Sequence, residues 1–152
     1  MVNEEMACVR ALTERLFLAL QRRDIEAAAA CYHDTAVFSA PVIGVVEGRD
    51  VKTLWQAIFS STSDSSLSYT ITDIGVTSAK VEGVVAYSVT SSGRRVIHAF
   101  STVLQIRDQR VAFHEDTFDA WDWAKMAYGP AGLLFGWSRL WQLRQGENVR
   151  AK

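Results

Sequence analysis

The sequence predicts an α+β domain in which a curved antiparallel sheet wraps around N-terminal helices, with a C-terminal helical extension. Apolar residues recur at intervals of three and four over residues 4–22, which is typical of an amphipathic helix. From Leu67 onward, four segments rich in Val, Ile, Thr, Tyr and Phe are separated by hairpin-length turns. Because these strands are long for their number, the sheet can twist into a cone that encloses a hollow.

Three helices are predicted ahead of the meander. The first spans residues 4–22. Asp24 can cap the second, which takes in the alanine-rich run up to Tyr32. Asp50 is predicted to cap the third, which runs for about ten residues.

The predicted strands begin with a short one at residues 35–39, which Pro41 ends because proline has no backbone N–H to donate. A loop containing Gly44 and Gly48 follows. Helix returns after Asp119. The four strands of the meander are predicted at residues 67–76, 81–90, 95–107 and 110–119.

These elements predict an α+β domain over residues 1–120, a helical extension over 121–145 packed on it, and a frayed tail over 146–152. The extension is rich in tryptophan and leucine, with Trp137 and Trp141 in its second half. Soluble monomers rarely expose so much apolar surface, so the extension is predicted to be a lid over the hollow or part of a two-fold interface. A membrane-surface helix would need more basic residues.

Composition indicates a globular cytoplasmic protein, with 49% hydrophobic residues, 22% charged residues and a net charge of -1. The 16 Lys and Arg residues are scattered, which argues against a nucleic-acid partner. No apolar run approaches the ~20 residues of a membrane span, and the acidic start lacks the features of a signal peptide. Cys8 and Cys31 lack metal-site spacing and are predicted to be buried thiols in a reducing compartment.

The last predicted strand carries the strongest functional signal. Strand alternation puts His114, Asp116 and Phe118 on one face. This combination suits a pocket wall better than an apolar core, because a buried carboxyl without a partner is costly. Asp116 is a candidate general base with His114 as its partner. Alternatively, Asp116 serves only the fold, by pairing with His114 or a helix N-terminus.

The other two histidines are weaker candidates. His98 is predicted at the surface or at the rim of the pocket, and His33 as a capping or exposed residue. Two histidines and a carboxylate can form a metal-binding triad, but these come from different strands without the usual ligand spacing. No metal or other cofactor is therefore expected.

Aromatic side chains are spread over the elements expected to surround the hollow. As a set they imply a small, largely apolar and flat-sided ligand, although core packing also accounts for each one. They are Tyr32, Phe38, Trp55, Phe59, Tyr87, Phe100 and Phe118.

Three segments, ALQRRDIEAAAACYHDTAVFSAP, VVEGRDVKTLW and HEDTFDAWDW, occur in order at compatible spacing. Over residues 6–120 the chain resembles the nuclear transport factor 2-like superfamily, specifically its ketosteroid isomerase and SnoaL-like polyketide cyclase branches. The resemblance implies a cone-shaped cavity that binds a hydrophobic ligand, and a homodimer formed through the convex face of the sheet. It does not fix the activity, because the superfamily holds isomerases, dehydratases, epoxide hydrolases, cyclases and non-catalytic binders.

The resemblance also implies which catalytic groups differ. Leu16 takes the position of the isomerases' oxyanion-binding tyrosine, Ala40 that of their general-base aspartate, and Thr102 lies near that of their protonated aspartate. These three positions line the implied ligand cavity, and their change argues against ordinary ketosteroid isomerase activity. Trp55 matches a cavity aromatic, and Asp116 matches the acidic residue that acts as base in SnoaL-like cyclases. A cofactor-independent isomerase, cyclase or hydrolase and a non-catalytic ligand-binding protein both remain open.

Overall fold

A computed structural model describes residues 1–129 of the chain. Over this part, the chain forms four helices and six strands. The helices are α1 (Val2–Gln21), α2 (Ile25–Ala30), α3 (Asp50–Ser61) and α4 (Ala120–Tyr128). The strands are β1 (Tyr32–Ala40), β2 (Gly44–Glu47), β3 (Thr62–Ile74), β4 (Ser78–Val89), β5 (Arg95–Arg107) and β6 (Arg110–Thr117).

The six strands form one curved sheet in the order β2-β1-β6-β5-β4-β3. Strands β3 to β6 pair antiparallel with their chain neighbours, as the short turns predict. Strand β1, although it is first in the chain, lies beside β6 and pairs with it in parallel, while β2 pairs antiparallel with β1. The predicted α+β class, with helices packed against a curved sheet, is confirmed.

The core lies between the helices and one face of the sheet, which we call the inner face. Alternation decides which strand residues reach it: on β5, Val96, Thr102 and Leu104 are buried, whereas Ile97 is exposed. Helix α1 contributes its periodic apolar side to the same core. The residues it buries include Val9, Leu12, Leu16, Phe17 and Leu20.

Gly83 on β4 permits a close approach within this core. It pairs with Tyr69 on β3 and Phe100 on β5. A Cβ atom at Gly83 would lie 2.3 Å from the Ser68 carbonyl oxygen and 2.7 Å from the Phe100 ring. Phe17 of α1 packs against Tyr69 at a centroid distance of 4.9 Å and against Phe100 at 6.2 Å. The missing side chain therefore makes room for the Phe100 ring, which packs against Phe17.

The chain leaves helix α2 earlier than predicted. The second helix was expected to reach Tyr32, but it ends at Ala30, and β1 begins at Tyr32. The Val111 N–H donates a 2.8 Å hydrogen bond to the Cys31 carbonyl, which draws the chain into the sheet at that point. Long-range pairing thus overrides the helix propensity of the alanine run. Asp24 does cap α2, since its carboxylate accepts from the Ala27 N–H at 3.1 Å.

Three further expectations are wrong. The loop through Gly44 and Gly48 contains strand β2, which pairs with β1. Asp50 is the first residue of α3 rather than its cap, and Arg49 precedes the helix without a capping side-chain bond. The Asp50 carboxylate still lies in the first turn, where a negative charge favours the helix dipole. Cys8 is exposed on α1, whereas Cys31 is buried as expected.

Helix α4 begins where the sequence predicts, with the Asp119 carboxylate accepting from the Trp121 and Asp122 N–H groups at 3.0 Å. The rest of the predicted extension, including Trp137 and Trp141, and the predicted tail over 146–152 lie outside the described residues. The domain boundaries and the choice between lid and interface therefore stay predictions. Within residues 1–129, no helix is both long and apolar enough to span a membrane. The cytoplasmic location also stays a prediction.

Candidate active site

His114 and Asp116 lie on β6, a strand held between β1 and β5. His114 is opposite Phe38 on one side and Leu104 on the other, and Asp116 is opposite Thr102. The His114 side chain is 1% exposed, and its Nε2 atom lies 2.8 Å from Asp116 Oδ1. The two side chains therefore meet directly on the inner face, with the imidazole in the core.

The Asp116 carboxylate uses its two oxygens differently. Oδ1 accepts from the Thr102 hydroxyl at 2.6 Å and is hydrogen-bonded to His114 Nε2 at 2.8 Å. Among residues 1–129, no donor forms a hydrogen bond to Oδ2. The Asp116 side chain is 20% exposed, so this second oxygen belongs to a partly accessible group. One oxygen is thus held by the protein while the other keeps its capacity to accept a proton.

The other ring nitrogen of His114, Nδ1, is hydrogen-bonded to a residue of the core. The Tyr32 hydroxyl lies 2.8 Å from His114 Nδ1, and the Trp55 indole N–H donates to the Tyr32 oxygen at 3.2 Å. The Phe38 ring covers the imidazole at a centroid distance of 4.6 Å. Burial raises the pKa of the Tyr32 phenol well above its usual value of 10.0, against the lowering effect of the Trp55 hydrogen bond, and the Asp116 charge also raises it. Tyr32 is therefore a neutral phenol.

His98 extends this region along β5. The sequence placed it by preference at the surface, but it is half-buried against Phe118 at 4.7 Å and Tyr87 at 6.2 Å between ring centroids. Its Nδ1 lies 3.1 Å from the Ala99 carbonyl oxygen. Burial lowers the pKa of His98 below its usual 6.5, although the Ala99 hydrogen bond and the Asp116 charge act in the opposite direction.

The same cluster anchors helix α4 to the sheet. The Trp123 indole N–H donates a 2.6 Å hydrogen bond to the Tyr87 hydroxyl. Burial raises the pKa of Tyr87, although the Trp123 bond acts against this. Neither His98 nor Trp123 was selected as a site residue from the sequence. The alternation of β5 was the available signal for His98, because it shares a face with Thr102.

The remaining predicted lining residues divide by exposure. One group is buried in the core among other side chains: Leu16, Tyr32, Phe38, Ala40, Trp55 and Thr102. A second group is half-buried: Phe59, Tyr87, Phe100 and Phe118. Two surface depressions lie elsewhere, one between α1 and β3 and one on the outer face over Gly83, and neither includes His114 or Asp116. The ligand chamber and the choice of lining residues therefore stay predictions.

Acid–base chemistry is what this arrangement can provide. Within residues 1–129, no group of three His, Cys, Asp or Glu side chains is placed to hold a metal ion. His33 is engaged far from Asp116, with its Nε2 3.3 Å from Asp108 and its Nδ1 accepting from the Thr35 N–H.

Residues 13–114 match the family model of the SnoaL-like domain. The chain belongs to the SnoaL-like domain family. The resemblance to the SnoaL-like branch of the nuclear transport factor 2-like superfamily is thereby confirmed. None of the curated proteins matches this SnoaL-like protein significantly.

Solved structures share the fold of this SnoaL-like protein. A ketosteroid isomerase-like protein from Erwinia carotovora atroseptica aligns with a TM-score of 0.65 and 20% identity, over 76% of this chain and 97% of its own. A LEH-like epoxide hydrolase from M. tuberculosis aligns at 0.62 and 24%, over 88% and 93%. A candidate polyketide cyclase from Xanthomonas campestris pv. campestris aligns at 0.71 and 16%, over 81% and 98%. At these identities the likeness shows the fold alone.

Proposed function

We propose that this SnoaL-like protein is a cofactor-independent isomerase, cyclase or hydrolase that acts on a small hydrophobic molecule, with Asp116 as general base. One observation carries the proposal. Asp116 holds a carboxylate whose Oδ1 takes two hydrogen bonds, while Oδ2 has no donor among residues 1–129 and the side chain is 20% exposed. A base needs this combination of a fixed orientation and a free lone pair.

The proposed step is a proton transfer to Asp116 Oδ2. The proton comes from a carbon next to a carbonyl group, or from a water molecule that attacks an epoxide. From a C–H group, the electron pair stays on carbon as an enolate. From water, it stays on the oxygen, which bonds to an epoxide carbon while the ring C–O bond of that carbon breaks and leaves an alkoxide. Asp116, now a carboxylic acid, returns the proton to the product derived from the enolate or to the alkoxide of the opened ring. His114 and Thr102 contribute by donating to Oδ1, which keeps the carboxylate oriented throughout.

The surroundings favour an apolar ligand. Phe118, His98 and Tyr87 form a half-buried run of rings next to Asp116 on the inner face. Such rings supply flat apolar contact area and few polar anchors. The similar structures described as an epoxide hydrolase and as a candidate polyketide cyclase favour the same reaction classes.

The test is a turnover screen of carbonyl compounds and epoxides with matched variants of neighbouring acidic residues. Asp116→Asn keeps the size of the side chain and removes the base, so we expect turnover to fall by about 100-fold or more. Glu115→Gln makes the same chemical change on the exposed face of the same strand, and it should leave turnover unchanged. Turnover that survives in Asp116→Asn would show that another group is the base.

A second candidate function is ligand binding without chemistry. Leu16 and Ala40, which take the positions of two acid–base groups of the isomerases, are apolar and buried in the core. Thermal-shift measurements against steroids, polyketides and terpenoids would identify ligands. A ligand that stabilises the fold and is recovered unchanged after long incubation favours this function, whereas product formation excludes it.

The proposal includes a homodimer formed through the outer face of the sheet. Val84 on β4 is 45% exposed there and Ile97 on β5 is 56% exposed. Val84 is opposite Ala99, and Ala86 is opposite Ile97, so four apolar side chains are neighbours on this face. In a two-fold dimer, this patch of one copy would meet the same patch of the other.

A further inference from the structure

A chain of hydrogen bonds runs from the core to Asp116, through Trp55, Tyr32 and His114. We infer that Tyr32 is a positioning residue that holds His114 as a neutral imidazole with its proton on Nε2. Asp116 then keeps its full negative charge and presents it through Oδ2. This inference deepens the proposed function and rests on it only for the role of Asp116.

The direction of the first bond follows from the donor. An indole N–H can only donate, so the Tyr32 oxygen accepts from Trp55. The phenol proton of Tyr32 must then find an acceptor of its own, because a buried hydroxyl without one is costly. Among residues 1–129, His114 Nδ1 at 2.8 Å is the acceptor bonded to this hydroxyl. Nδ1 must therefore present a lone pair rather than a proton.

The other end of the imidazole fits the same tautomer. Nε2 lies 2.8 Å from Asp116 Oδ1, and an ionised carboxylate can only accept. Nε2 must therefore carry a proton. In a ring protonated on Nδ1 alone, the Nε2 lone pair would face the Asp116 carboxylate, and the Nδ1 proton would face the Tyr32 phenol proton. Both contacts would be repulsive. A doubly protonated ring would leave the Tyr32 proton without an acceptor.

The consequence concerns the charge of the site. A neutral imidazole donates to Asp116 without neutralising it, so the pair carries one negative charge. Asp116 and not His114 is then the group that accepts a proton, because both imidazole nitrogens already take part in hydrogen bonds. Tyr32 produces this state from the core, where its side chain is buried.

The test is two-bond ¹H–¹⁵N correlation spectroscopy of the histidine side chains, at neutral pH and without ligand. In the unmodified protein, we expect an unprotonated Nδ1 and a protonated Nε2 for His114. A protonated Nδ1 would overturn the inference. This measurement is decisive by itself, even where a variant fails to fold.

Two tyrosine variants sharpen the result. Tyr32→Phe removes the donor, so the Nδ1 resonance should shift downfield, toward the position of a free lone pair. Tyr87→Phe removes a hydroxyl that is bonded to Trp123 instead, and the His114 signals should stay in place. An Nδ1 signal that does not move in Tyr32→Phe would refute the role of Tyr32. A failure of the proposed function would look different. In that case Asp116→Asn would retain turnover, while the His114 spectra of the unmodified protein would still show the expected tautomer.

Discussion

The Thr102 hydroxyl donates a 2.6 Å hydrogen bond to Asp116 Oδ1 across the pair of strands β5 and β6. Thr102 lies near the position where the resemblance implies a protonated aspartate in the isomerases. A carboxylic acid there could donate to a developing oxyanion, whereas the threonine proton is committed to Asp116. With threonine at this position, the side chain orients the proposed base instead of stabilising an oxyanion.

Thr102→Val tests this bond, because valine keeps the shape of the side chain and removes the donor. Loss of a hydrogen bond to a charged group should lower the free energy of unfolding by about 1–3 kcal/mol. Thr117→Val is the control, since Thr117 is exposed on the neighbouring strand and its hydroxyl donates to the Ser101 carbonyl. Urea denaturation measures both variants. Equal stability of the two variants would mean that the Thr102 bond contributes nothing.

His98 predicts a dependence of stability on pH. Because its pKa is lowered in the folded protein, the folded state favours the neutral ring. The stabilisation is present above the usual value of 6.5 and is lost as the pH falls from there toward the lowered value. We expect urea titrations at a series of pH values to show a steeper acid-side loss of stability in the unmodified protein than in His98→Gln. Curves that stay parallel below pH 6.5 would contradict the prediction.

Gly83 predicts a strict size limit on β4. In Gly83→Ala, the new Cβ would collide with the Phe100 ring, which can rotate, and with the Ser68 carbonyl oxygen, which belongs to a paired strand and cannot. We expect a loss of about 1–3 kcal/mol in the free energy of unfolding. Glu82→Ala, on the exposed face of the same strand, should change it by less than about 0.5 kcal/mol. A Gly83→Ala protein as stable as the control would show that β3 and β4 can move apart to accept the new methyl group.

The outer-face patch predicts the effect of a charge on assembly. Ile97→Glu places a carboxylate in the middle of the proposed two-fold interface, where desolvation and like-charge repulsion oppose pairing. Sedimentation velocity should show a dimer for the unmodified protein and a monomer for this variant. Val76→Glu alters another exposed apolar residue, in the β3–β4 turn, and should stay dimeric. A monomeric unmodified protein would refute the homodimer directly.

Local patterns predicted the meander well. The sequence placed β5 at residues 95–107, which are its bounds in the structure. Alternation on β6 was sufficient to put His114 and Asp116 on one face, because side-chain direction in a strand depends only on parity. The capping role of Asp24 followed from the same kind of short-range chemistry.

Long-range contacts could not be predicted in this way. Tyr32 and His114 are 82 positions apart, and their bond depends on the parallel pairing of β1 with β6. Nothing near Tyr32 in the sequence indicates that pairing, and the alanine run before it favours helix instead. Trp55 reaches the same hydroxyl from α3, so this part of the site depends on tertiary packing.

The place of β6 inside the sheet has a consequence for its dynamics. A strand with partners on both sides loses its amide hydrogen bonds only when much of the domain opens, so its amide protons should exchange with solvent among the slowest. The groups carried by β6 are therefore preorganised before any molecule arrives. Adaptation to different molecules would have to come from the less constrained elements at the periphery.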